Sequence, residues 1–471
     1  MKKFGLFFLL FGLTLVFSTA AGAVDVKISG EYYAAGMYLD RTTLKKDVAS
    51  EGPSTAFFFQ RLRVLTDFNI SPGLKLITRF DALERSWGAT RSAATSSSYN
   101  SATGGVTTSS ASYDTASSGT RAENENIALD WAYIHYVSPV GLFRVGFMND
   151  NAWGTVFADG ATPKGKIMWS YTQGSWLVTL GVVKMFYDKS YSVVNSTTTA
   201  SDVDNDKYVA AVKYTWKSGE TGLLGAVGRD STTRPANNYK ALFYALMPYA
   251  SAQVGPVKLQ AEINYFWGKW QIYETSQTDL DMTALLAWVD ATADFGKFYV
   301  GGSIAYVSGD DPGSTDKIEA NSLLVNGGRD WNPCLILFNS DLTYWAGNQV
   351  GHNPSSGLAP TPVAPNPYGF SNGPMTNAWF LQGRAGVKPT DKLDIMASVA
   401  FASADKKPTA DWLYNDYGYE VDVTASYKIT NNLSYMLGAG YLFTGKYFKG
   451  TAENQNVRDN YLLINKLTLT F

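Results

Sequence analysis

The chain has 471 residues, 14% of them aromatic and 17% charged, with 43 glycines and one cysteine, Cys334. Its 39 basic and 41 acidic residues give a formal charge of −2, which excludes the basic footprint of a nucleic-acid binder. The single cysteine excludes an internal disulfide, and the chain lacks the Cys-x-x-Cys-His stretch that attaches haem.

At the N-terminus Lys2 and Lys3 precede an apolar run from Phe4 to Phe17, followed by Ala21-Gly22-Ala23. This is the plan of a secretory signal peptide, too short to span a bilayer, and export through the Sec pathway is the expectation. Residues 1–23 are read as that signal and 24–471 as one domain. Cleavage after Ala23 leaves 448 residues, 471 less 23, and the loss of two lysines moves the formal charge to −4. No later stretch approaches the length of a membrane-spanning helix.

From Val24 onward the recurrent unit is a strand of about ten residues with period-two alternation. Gln60 to Ile70 puts Leu62, Val64, Phe68 and Ile70 on one face, with Arg61, Arg63, Asp67 and Asn69 on the other. Val257 to Trp267 sets an apolar row against Lys258, Gln260, Glu262 and Asn264. Tyr419 to Ile429 repeats the pattern, with Glu420, Asp422, Thr424, Ser426 and Lys428 on the polar side. Alternation alone does not say which face is inside.

The connections do. Eight are tight: Ser71-Pro72-Gly73, Ser138 to Gly141, Gln173-Gly174, Lys217 to Glu220, Val254-Gly255-Pro256, Phe295-Gly296-Lys297, Lys388 to Asp391 and Thr430-Asn431-Asn432. The alternate connections are long and polar, notably 86–123, 188–205, 309–376 and 445–456. Short turns at one end and long loops at the other define a transmembrane antiparallel β-barrel with both termini on the short-turn side. Eight turns pair sixteen strands, and the first and last strands make eighteen. Sixteen is the alternative, because Asp341 to Trp345 is a candidate strand inside the Pro-rich 309–376 stretch. Residues 91–118 are mostly Ser, Thr, Ala and Gly, too poor in apolar surface to order themselves.

Candidate chemistry is sparse. Gly160 to Lys166 has P-loop spacing, but Ile167 stands where Ser or Thr should hold magnesium and no helical pattern follows. His135 and His352 are isolated, so no metal site, cofactor or catalytic triad is expected, and an enzyme is not the reading. Trp87, Trp153, Trp331, Trp345 and Trp412 lie in or near long loops and are read as loop packing, with a stacking path for sugars as the alternative. The stronger constellation is electrostatic. Arg61 and Arg63 share the polar face of one strand, Lys75 and Arg79 that of the next, and Arg144 follows on Leu142 to Met148. They form a basic ladder on one wall, followed by a third long-side connection that carries Asp150 and Asp159.

The segment from Ile127 through Gly160 resembles the general-diffusion porins of Gram-negative outer membranes, although it lacks their Pro-Glu-Phe-Gly-type stretch. That resemblance implies a water-filled channel for passive diffusion of small polar solutes and ions. It also implies a third loop folded into the barrel, with Asp150 and Asp159 opposite Arg61, Arg63, Arg79 and Arg144, and assembly into a homotrimer in outer-membrane lipid. The pairing of the same arginines with Asp67, Asp81 and Asp130 along the wall is the competing reading. The last strand, Tyr461 to Phe471, carries Leu467, Leu469 and Phe471 on one face and resembles the C-terminal signal read by the barrel assembly machinery. A substrate-specific porin for a sugar or anion, and a sheath around a partner such as a periplasmic cytochrome, are the alternative functions. No role is assigned to Cys334.

Overall fold

The computed structural model describes residues 24–40, 44, 54–87, 97–100, 105–108, 127–160, 162–186, 204–233, 239–320, 326–339, 374–454 and 456–471. The expected signal peptide, the candidate strand Asp341 to Trp345, and His352 lie outside them.

Eighteen strands form one antiparallel ring. They are β1 (Asp25–Leu39), β2 (Thr55–Ser71), β3 (Leu74–Ser86), β4 (Ile127–Ser138), β5 (Gly141–Asp150) and β6 (Thr162–Gln173). Then come β7 (Trp176–Phe186), β8 (Asn205–Trp216), β9 (Gly219–Asp230), β10 (Tyr239–Val254), β11 (Val257–Tyr273) and β12 (Leu280–Asp294). The ring is completed by β13 (Phe298–Val307), β14 (Ala378–Thr390), β15 (Leu393–Ala404), β16 (Asp416–Lys428), β17 (Leu433–Thr444) and β18 (Asn460–Thr470). Each strand pairs with its sequence neighbour, and β18 returns to β1 in the register Glu31↔Thr470 through Leu39↔Leu462. Closure leaves no unpaired barrel edge, which is the condition for a sheet to survive in lipid. The eight tight turns fall where the sequence places them. Eighteen strands replaces the sixteen-strand alternative. Residues 97–100 and 105–108 pair as a small separate hairpin within the low-complexity stretch.

The alternation is inverted relative to a water-soluble protein. On β16 the apolar Tyr419, Val421 and Val423 are exposed, whereas Glu420 is 0% and Asp422 4% exposed. On β11 Leu259, Ile263 and Tyr265 face out, while Glu262 and Asn264 are buried. An apolar outer band with polar groups inside is what a barrel in hydrocarbon requires. Trp176, Trp216, Tyr136 and Phe443 lie near strand ends on that outer face, at girdle positions.

The final strand follows the same rule and explains its own irregularity. Leu463, Leu467, Leu469 and Phe471 face out, whereas Leu462 and Ile464, which break the alternation, point inward and are buried. They meet an apolar cluster inside the barrel, built where a long connection folds in.

Candidate functional site: a basic wall and two inward loops

The ladder residues line one inner wall. Across β2 and β3, Arg63 lies opposite Asp81, and Leu65 lies opposite Arg79, which is itself opposite Trp131 of β4. Arg63 donates to both oxygens of Asp81, from Nε at 2.6 Å and from Nη2 at 2.5 Å. Arg79 donates to Asp130 at 2.9 Å, and its guanidinium lies 3.9 Å from the Trp131 ring centroid, a cation–π stack. Arg61 stands 3.7 Å from Glu31 and over Tyr33, and Lys75 stands 3.7 Å from Asp67. Nearer the tight turns, Lys75, His135 and Arg144 form one row across β3, β4 and β5. Arg144 makes no ion pair with a described residue, and its Nε has no hydrogen-bond partner. Lys466 on β18 also stands over Tyr33, 4.5 Å from its ring centroid, and carries the wall across the closing pair of strands.

The third long-side connection, 151–160, folds into the lumen and docks across it. Trp153 Nε1 donates to the carbonyl of Met247 on β10 at 2.9 Å. Thr155 donates from its amide (2.8 Å) and its hydroxyl (2.6 Å) to Glu262 on β11, whose other oxygen accepts from Asn264 at 2.8 Å. A buried carboxylate with three donors is satisfied without a cation, which explains how Glu262 can sit 2% exposed. Phe157 stacks on Trp288 of β12 at 5.8 Å between centroids.

A second segment enters from the 308–377 connection. Amides of Ile336 and Leu337 donate to the two oxygens of Glu420, at 2.6 and 2.7 Å, and Leu335 donates to Asp422 at 3.2 Å. Gln382 on β14 donates to the carbonyl of Pro333 at 2.5 Å. Its apolar side chains continue an aromatic chain from the third connection. Trp331 meets Phe157 at 5.1 Å and Phe380 at 5.4 Å, and Phe338 meets Phe380 and Tyr417. The loop tryptophans Trp153 and Trp331 therefore pack loops against the wall.

The two segments are stitched by backbone hydrogen bonds: Ala158 to Gly327 at 3.0 Å, and Arg329 and Asp330 to the Asp159 carbonyl at 2.7 and 3.0 Å. Gly328, at φ +76°, allows the approach, since a Cβ there would lie 2.4 Å from the Asp159 amide nitrogen. The loops thus dock on β10 to β16, opposite the arginines of β2 to β5.

Two expected positions change. Asp150 does not face the arginines: it is the last residue of β5, and its carboxylate is held by Lys166 at 3.1 Å and by Lys207. This pairing also accounts for Lys166, which the P-loop-like spacing had highlighted and which lies on strand β6. Asp159 contributes its backbone carbonyl to the loop junction. The loop acid that senses the arginines is Asp330, whose carboxyl burial raises in pKa while Arg63, Arg329 and Arg79 pull it back. Asp330, Glu262, Glu420 and Lys466 were not singled out from sequence. In the alternation they look like any inward polar residue, and only Lys466 carried a usable signal, its inward parity on the closing strand.

Solved structures share this architecture. OccK9 (OpdG) of Pseudomonas aeruginosa aligns over 95% of this chain and 99% of its own, at 14% identity and a TM-score of 0.50. OprD of Pseudomonas aeruginosa aligns over 96% of both chains at 11% identity and a TM-score of 0.48. An anion-selective porin from Comamonas acidovorans aligns over 95% of this chain and 99% of its own, at 10% identity and a TM-score of 0.44. No family model and no curated protein matches the chain. The fold is therefore that of a porin-type β-barrel, with eighteen strands in the ring of this chain. At this level of identity the likeness establishes architecture, and function is argued from the residues.

Proposed function

We propose that the protein is an outer-membrane channel through which small hydrophilic solutes and ions diffuse passively, along a path beside the β2–β5 wall. The observation that carries this reading is the division of the lumen. Both inward loops dock by buried hydrogen bonds and aromatic packing on β10 to β16, while Arg61, Arg63, Lys75, Arg79 and Arg144 line the other side. Charged side chains on a water-lined wall orient polar solutes and set ion preference. The four acidic partners Glu31, Asp67, Asp81 and Asp130 are drawn back into the wall by ion pairs, and Arg63 and Arg79 also act on Asp330 of the inward loop. Small anions are the favoured solutes on this reading, and the general-diffusion character expected from sequence narrows to an anion-favouring channel.

The apolar outer band supports residence in outer-membrane lipid. Export with removal of residues 1–23, assembly guided by Leu467, Leu469 and Phe471, and a trimeric state remain part of the same proposal. Liposome swelling with neutral sugars and with small organic anions of matched size tests the substrate reading. Faster entry of the anions supports it, and equal rates return the protein to unselective diffusion.

A further inference from the structure

Three buried groups inside the barrel belong to no part of the permeation wall. Cys334 on the inward 326–339 segment, and Glu420 and Asp422 on β16, bring one sulfur and two carboxylate oxygens within 4.8 Å of one another. They are 4%, 0% and 4% exposed. Among the described residues neither carboxylate has a lysine, arginine or histidine as ion-pair partner. Two adjacent buried carboxylates without a cation are unfavourable, because each is stripped of water and each repels the other.

The hydrogen bonds do not complete the site. Glu420 Oε1 and Oε2 each accept one amide, Asp422 Oδ2 accepts the third, from Leu335, and the Asp422 carboxyl also meets Ser398, its cross-strand partner on β15, and Glu420 itself. Asp422 Oδ1 has no hydrogen-bond partner although the side chain is buried. It faces a space left by Gly440 of β17, where a Cβ would come 2.6 Å from Asp422 Oδ1 and 3.4 Å from Glu420 Oε1. Gln382 Nε2 lies 3.9 Å from Cys334 Sγ and donates to the carbonyl of the preceding Pro333.

We propose that Cys334, Glu420 and Asp422 bind one divalent cation of the zinc class, which fastens residues 333–337 to β16. One thiolate and two carboxylates suit a borderline cation, whereas magnesium and calcium select oxygen alone. Tetrahedral zinc places such ligand atoms roughly 3.5 Å apart, so a small inward rotation of the three side chains from the present spacing closes the site. The fourth position falls to a water, because the Gln382 amide is committed as a donor to the Pro333 carbonyl. Binding releases the thiol proton, and the cation supplies the positive charge that the pair of acids lacks.

The full-length barrel, refolded into detergent after chelator treatment and then desalted from an excess of zinc or cadmium chloride, tests this. The expected result is one metal per chain by mass spectrometry and, with cadmium, the ultraviolet thiolate charge-transfer band. Cys334→Ser should abolish the band and weaken retention at least tenfold, and Asp422→Asn should weaken retention similarly. Heat-modifiable mobility confirms folding, and the near-isosteric Cys334→Ser decides the matter if Asp422→Asn does not fold. Folded wild-type protein that retains no metal means that a shared proton neutralises the pair, and overturns the proposal. Equal retention by wild type and Cys334→Ser means an adventitious ion only, and overturns it as well.

Discussion

The backbone amide of Arg329 donates to the carbonyl of Asp159 at 2.7 Å, joining two loops whose residues are far apart in the chain. Because the two loops dock separately on the wall, this junction makes them one inward unit. Its weakest point is Gly328, which lies against Asp159 with φ +76°. Replacing Gly328 by Ala forces a side chain into a left-handed backbone and onto Asp159, at a cost of about 1–2 kcal/mol. Single-channel recording should show larger and noisier conductance than wild type.

Glu262 anchors the other end of the third connection. Leucine at this position removes the acceptor for the Thr155 amide and hydroxyl and leaves both donors buried, costing about 1–3 kcal/mol per unsatisfied group. Loop release should raise conductance and expose 151–160 to limited proteolysis. Glu262→Gln retains one acceptor oxygen and should give a smaller change in both readings.

Asp330 gives the protein a pH dependence of defined sign. Burial, the largest influence, raises its pKa above the ordinary carboxyl value, with Arg63, Arg329 and Arg79 acting against it. The folded protein therefore holds this proton at a pH where the unfolded chain has lost it. Stability from this group is greatest at low pH and declines as pH rises from the ordinary carboxyl pKa through the raised one. Protonation also removes a negative charge facing the arginines, so anion preference should increase as pH falls through that window. Reversal potentials measured across the acid range should show this drift, and Asp330→Asn should flatten it.

Phe471 closes the ring through two backbone bonds with Gly30, at 2.8 and 3.1 Å, and its ring rests on that glycine. Deleting Phe471 should lower the amount of heat-modifiable, membrane-assembled barrel. Alanine there keeps both backbone bonds, so comparing the two variants separates the ring's contribution from the pairing.

Much of the barrel was legible because a lipid-facing strand must repeat every two residues and a tight turn must use turn chemistry. Leu467, Leu469 and Phe471 were assigned to the outer face on parity alone, and so were Arg61, Arg63 and Arg79 to the inner one. Docking partners were not legible. Thr155 meets Glu262 across 107 residues of sequence and Leu337 meets Glu420 across 83, and no local pattern marks either acid as an anchor. The acids of the third connection looked like partners for the arginines because both lay near the presumed constriction. Lys166 and Lys207 are closer in the folded ring, and they take Asp150.

The central claim is that solutes pass along the basic wall. Planar-bilayer recording of the purified barrel in a potassium chloride gradient measures it directly, comparing wild type with the triple variant Arg61→Gln, Arg63→Gln, Arg79→Gln. The account predicts an open channel in both, with the wild-type reversal potential on the anion-selective side and the variant's shifted toward cations. An identical reversal potential in two conducting, folded proteins would contradict it.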